Sequence, residues 1–135
     1  MGYKIEDVQG IGLSYCTKLA TAGVYTTDHL LDSCRTPKGR RELENRTGLP
    51  AARLLNWANM ADLMRIRGIG PQFAELLHGS GIDTVKELAT RNAANLAETV
   101  SNVNKQKRLA LSTPTASRIH EWVKLAKRME SRIEY

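Results

Sequence analysis

Apolar positions along this chain recur at helical intervals. Near the C-terminus, Ile119, Trp122, Val123, Ala126, Met129 and Ile133 fall on one helical face, and Arg, Lys and Glu occupy the rest. No stretch sustains period-two alternation between hairpin turns, so no strand is expected. Helix-end chemistry divides the remainder. A short helix is expected near residues 4–9, a turn at Gly10–Gly12, and a helix over about 13–22 that Gly23 closes in left-handed backbone. Thr26 and Thr84 stand as N-caps of the helices that follow, and Thr84-x-x-Glu87 spells a capping box. Thr36-Pro37 opens another helix, which Thr47-Gly48-Leu49-Pro50 breaks. A helix over about 50–66 follows, and Thr113-Pro114 opens the last one, roughly 114–132. The expected fold class is all-α.

The pattern also repeats. At an offset of 58 without gaps, Gly10, Ile11, Gly12, Leu19, Gly23, Thr26 and Leu30 fall on Gly68, Ile69, Gly70, Leu77, Gly81, Thr84 and Leu88. Farther on, Arg53-Leu54-x-x-Trp57 matches Arg118-Ile119-x-x-Trp122 at an offset of 65, so the second copy carries seven extra residues, placed around 102–112. Two copies are expected, 1–66 and 67–135, each a glycine turn with its helices followed by two more. A unit this small buries only about 60% of its chain surface. The two copies are therefore expected to pack as one pseudo-symmetric body.

Charge follows the same period. The chain carries 20 Lys+Arg against 14 Asp+Glu, a formal net charge of +6. Segments 1–34 and 68–104 each hold 2 basic and 4 acidic residues, while 35–67 and 105–135 each hold 8 basic and 3 acidic. Each copy thus has an acidic front and a basic back. A basic excess of this kind permits polyanion binding. No apolar run approaches the ~20 residues that span a bilayer, so no membrane partner is expected. The N-terminal residues lack the apolar stretch of a signal peptide, and Cys16 and Cys34 are too few for a disulfide scaffold. A reducing, cytoplasmic setting is expected, nucleoid-associated if the chain binds DNA.

The informative motif is Val8-Gln9-Gly10-Ile11-Gly12, repeated as Ile66-Arg67-Gly68-Ile69-Gly70. Helices that meet across so short a turn need residues that accept positive φ. The isoleucine between the glycines tucks inward and pins the two helices. The next helix then presents unpaired N–H groups, a ready anion site.

These residues resemble the helix-hairpin-helix motif, an apolar-Gly-apolar-Gly turn followed by x-x-x-Ala and a Leu-rich helix that ends in Gly. Gly68-Ile69-Gly70-Pro71-Gln72-Phe73-Ala74-Glu75-Leu76-Leu77 fits it closely; Gly10 to Leu19 fits with Cys16 in the Ala position. The whole chain also looks like a family of small bacterial helix-hairpin-helix proteins of undetermined function. The resemblance implies two tandem helix-hairpin-helix repeats and sequence-independent DNA binding, duplex or junction, through turn amides on phosphates. It also shows departures. DNA-binding members of the motif family usually carry Lys or Arg two residues after the second glycine, where this chain has Ser14 and Gln72. Glu6 and Asp7 precede the first turn, whereas Arg65 and Arg67 flank the second.

The expected nucleic-acid contacts are therefore Arg65, Arg67, Gly68, Ile69, Gly70 and Gln72 at the second turn, with Gly10, Gly12 and Ser14 at the first. Arg35, Lys38, Arg40 and Arg41, with Arg46 beyond, surround a helix start, where cations oppose the helix dipole and a bound polyanion would relieve them. Lys105, Lys107 and Arg108 are read as the matching cluster of the second copy. Plain turn geometry explains the glycines without any ligand, and a solvated basic face explains the cations equally well. Trp57 and Trp122 are expected to be core anchors. No Walker loop, metal-ligand spacing, carboxylate pair or His-activated nucleophile occurs, so no catalysis, cofactor or small-molecule substrate is expected. The alternative to DNA binding is a protein-interaction or self-association module, which the acidic front halves favour.

Overall fold

A computed structural model describes residues 2–135. They form a 3-10 turn, Ile5–Asp7, and eight α-helices: α1 (Gly12–Thr21), α2 (Thr27–Cys34), α3 (Pro37–Thr47), α4 (Ala51–Leu63), α5 (Pro71–Gly79), α6 (Val85–Ala89), α7 (Ala93–Lys107) and α8 (Ala116–Lys127). The chain is all-α, with no strand among the described residues beyond an isolated bridge, Lys4 to Thr26.

The helices form two compact units. One runs to Asp62 and takes in Arg132–Tyr135; the other is Leu63–Ser131. The division falls ahead of the expected 66/67 boundary, and the last residues join the first unit because hydrogen bonds hold them there. The Glu134 N–H donates to the Arg35 carbonyl at 2.7 Å, and the Tyr135 hydroxyl donates to Asn59 Oδ1 at 2.8 Å. Ile133, read from its spacing as part of the last helix face, is instead a buried residue of this tail.

In the first unit, Leu19, Leu30 and Leu54 are wholly buried, and α3 packs on α1 and α2. α1 ends in a Schellman motif: Val24 N–H reaches the Leu19 carbonyl and Gly23 N–H reaches Ala20, both at 3.0 Å, with Gly23 at φ 82°. Thr26 and Thr36 cap α2 and α3 through their hydroxyls, which accept from His29 N–H and Gly39 N–H. Gly48, at φ 76°, ends α3.

The second unit repeats this grammar. α5 ends with Ile82 N–H on the Leu77 carbonyl at 2.9 Å and Gly81 N–H on His78 at 3.1 Å. Thr84 accepts from Glu87 N–H at 3.0 Å, but its hydroxyl returns the bond to the Glu87 carboxylate rather than leaving the carboxylate to its own backbone N–H. α8 packs on α6 and α7, burying Ile119, Trp122, Val123 and Ala126. Its cap is Thr115, not Thr113, and the helix ends at Lys127. The extra residues of this copy lengthen α7, which has 15 residues against 11 in α3, and the connector after it.

Candidate functional site

Each unit places a tryptophan under its glycine turn. Trp57 comes from α4 and Trp122 from α8. A Cβ built on Gly10 would meet Trp57 Nε1 at 3.6 Å, and one on Gly68 would meet Trp122 Nε1 at 3.0 Å. Both glycines have positive φ, 90° and 96°. The helix after each turn adds an aromatic ring at the same register. Tyr15 meets Trp57 and Phe73 meets Trp122, each with ring centroids 5.3 Å apart and tilted by about 50°. Arg53 and Arg118 complete these stacks, lying 5.2 Å over Tyr15 and 6.0 Å over Phe73. Ile11 and Ile69 are buried, as the motif requires of the residue between its glycines.

The second turn has the more open helix start. Gly70 is extended and Pro71 occupies the first helical position, so α5 begins cleanly. Among the described residues, the N–H groups of Gly70, Gln72 and Phe73 have no backbone acceptor. Arg67 is exposed beside this turn. Arg65 is half-buried and donates to the Glu130 carbonyl at 2.8 Å, so it is anchored to its own unit. Gln72 is exposed, but its side-chain oxygen accepts from Leu111 N–H at 3.2 Å, which leaves only its amide N–H groups for an external ligand. At the first turn Gly10, Gly12 and Ser14 are exposed, together with Glu6 and Asp7.

The basic clusters separate. Arg35, Lys38 and Arg41 are exposed around the start of α3, as the sequence placed them, with Arg46 exposed near its end. Arg40 is the exception: it is 6% exposed and donates to the Cys34 carbonyl at 2.8 Å, where a buried guanidinium satisfies the end of α2. Its charge also faces the Cys34 thiol, which burial pushes up to about 12 while Arg40 pulls it down. Arg40 therefore belongs to the core and leaves the candidate surface. Lys105, Lys107 and Arg108 do not match the α3 cluster. They lie at the C-terminus of α7, where cations complement the helix dipole and need no anion.

One contributor escaped the sequence reading. A groove of about 700 Å³ in the second unit is lined by Arg67, Gly68, Thr115, Ser117, Arg118, Glu121, Trp122 and Leu125. The repeated Arg-x-x-x-Trp signature marks Arg118, but spacing along the chain does not show that it shares a groove with Arg67. Half-burial raises the Glu75 carboxyl on α5, opposed by His78, and that pair lies outside the groove lining.

No helix among the described residues is long and apolar enough to cross a membrane. No solved structure matches the chain. Over 63 residues, 47% of its length, it is 36% identical to the poly(3-hydroxyalkanoate) polymerase subunit PhaC of Haloarcula marismortui, and that stretch spans 11% of the relative. Residues 9–129 match the model of a domain of unknown function, DUF4332, and the chain belongs to that family.

Proposed function

We propose that each unit is a helix-hairpin-helix module and that the chain is a non-catalytic DNA-binding protein whose contact is the second module. One observation carries the reading: an open helix start at Gly70–Phe73 stands beside an exposed arginine, Arg67, on a turn of helix-hairpin-helix pattern. Backbone N–H groups there suit a phosphate oxygen and carry no sequence preference. Pro71 supplies no N–H, so the contact falls to its neighbours. Arg35, Lys38 and Arg41 add long-range attraction.

Fluorescence anisotropy of a labelled duplex across a salt series tests this. Binding should weaken with salt by a slope near −0.9 per phosphate neutralised. Arg67→Ala should weaken it about tenfold, whereas Arg65→Ala should cost less because Arg65 already serves Glu130. Absence of binding at low salt would refute the reading.

A second reading, a protein-docking module, draws on the first turn. Leu13 stands there 82% exposed, with Glu6 and Asp7 in the preceding turn. The likeness to a short part of a much longer polymerase subunit also fits a module that accompanies other proteins.

A further inference from the structure

We propose that the groove between the second glycine turn and the start of α8 binds a phosphate ester, held between the guanidinium groups of Arg67 and Arg118. Both arginines line the groove and are exposed. Among the described residues neither has a carboxylate within ion-pair distance, and Glu121 on the same wall has no cation within that distance. Two unneutralised guanidinium groups at one concave site raise its potential and favour an anion between them. Arg118 is oriented without being consumed: it lies over the Phe73 ring, a contact that leaves its N–H donors available for a bidentate acceptor. The α8 helix begins in the same groove, with Thr115 capping it and the Ser117 hydroxyl beside it. Its apolar lining is Trp122 and Leu125. Trp122 is only 1% exposed, so it offers no face on which a base could stack. The groove therefore offers charged donors to a phosphate and no stacking face to a base.

The first unit shows what the groove requires. At its corresponding positions stand Gln9 for Arg67, Pro50 for Thr115, Ala52 for Ser117 and Asn56 for Glu121. Its arginine, Arg53, is also occupied, because it donates to the Tyr15 hydroxyl that Phe73 lacks. The scaffold of ring, tryptophan and arginine is common to both units. The second guanidinium, Arg67, is present in one.

The phosphate has two chemical sources, a backbone diester of a nucleic-acid strand or the monoester of a free nucleotide. The first rests on the DNA reading above and the second does not. The test is a titration of the full-length 15N-labelled chain with inorganic phosphate, with AMP and with a short DNA duplex, read by amide shifts. Saturable shifts at Gly68, Ser117 and Arg118 are expected. Arg118→Gln and Arg67→Gln should each weaken the response about tenfold, and Glu121→Gln should tighten it about twofold. Far-UV circular dichroism confirms that each variant folds, and Arg53→Gln should leave the groove unaffected. Response to AMP and phosphate assigns a monoester; response to duplex alone assigns a backbone diester. Silence at those three amides with every probe, or shifts of undiminished affinity in Arg118→Gln, overturns the groove assignment. If duplex moves Gly70, Gln72 and Phe73 while the groove stays silent, the groove fails and the DNA reading stands. If AMP moves the groove while duplex does not bind, the reverse holds.

Discussion

The two glycine turns share their residue pattern but differ in backbone. Val8 to Gly12 and Ile66 to Gly70 both put an apolar residue between glycines and both close over a tryptophan edge. In the first, Ile11 is already helical and Gly12 opens α1 at φ 60°; in the second, Gly70 is extended, with φ −96° and ψ −169°. The next residue accounts for the difference. Pro71 disfavours helical backbone in the residue before it and presets its own φ for a helix, so Gly70 stays outside and α5 starts one position later. Leu13 imposes neither constraint, and α1 begins on the glycine itself. An identical glycine spacing thus yields a clean helix start where proline follows and a left-handed one where it does not. Charge runs in parallel, acidic before the first turn and basic beside the second.

The largest effect should come from adding a methyl group under each turn. Gly68→Ala meets both positive φ and Trp122 Nε1 at 3.0 Å, while Gly10→Ala has nearly the same φ but 3.6 Å of room from Trp57. Urea unfolding should show a loss of about 3 kcal/mol for Gly68→Ala and about 1–2 kcal/mol for Gly10→Ala. Equal losses would mean that the tryptophan contact contributes nothing.

The second glycines should behave in the opposite order. Gly12 has no atom within 4 Å of an added Cβ, so Gly12→Ala isolates the left-handed penalty, about 1–2 kcal/mol by chemical denaturation. The backbone at Gly70 imposes no such penalty. A Leu13→Pro change should move the first turn toward the second, and an amide-shift map would show Gly12 leaving the helix.

The units also end their third helices differently. Gly48 closes α3 at φ 76°, donating to the Glu44 carbonyl, and Arg108 closes α7 at φ 51°, donating to Asn104. Arginine carries the Cβ cost there that glycine avoids. Arg108→Gly should therefore raise stability by about 1 kcal/mol, visible as a higher thermal midpoint. A fall would show that the Arg108 side chain holds the following connector.

The last effect is silent at neutral pH, develops only in alkali and is confined to the first unit. Burial raises the Cys34 thiol from 9.0 to about 12. The unfolded chain then releases this proton before the folded one does, so stability is intact below pH 9 and declines as pH rises toward 12. Cys34→Ala should lose packing at neutral pH yet flatten that decline, and a pH series of unfolding midpoints separates the two.

Residues whose chemistry is local were readable along the chain. Gly23, the Thr26 and Thr84 caps and the Thr36-Pro37 start all took their expected roles, because each is settled by hydrogen bonds within a few residues. Thr113 failed because Thr115 stands two residues nearer the helix, and spacing alone does not choose between two cap-forming residues. The candidate site was half legible: the turn and Arg67 were marked by motif, but Arg118 was hidden behind the tryptophan it precedes.

The sequence by itself determined the helical class, the glycine turns and the equivalence of Trp57 with Trp122, since periodicity and backbone freedom are properties of neighbouring residues. Tertiary structure decided which arginines remain available. Arg40 is enclosed against the end of α2, Arg65 is tied to Glu130, and Arg118 is brought beside Arg67 by the packing of α8 under the second turn. It also returned Arg132–Tyr135 to the first unit. Such outcomes depend on which surfaces meet when the chain closes, and a guanidinium is spent or spared only by the neighbours that closure supplies.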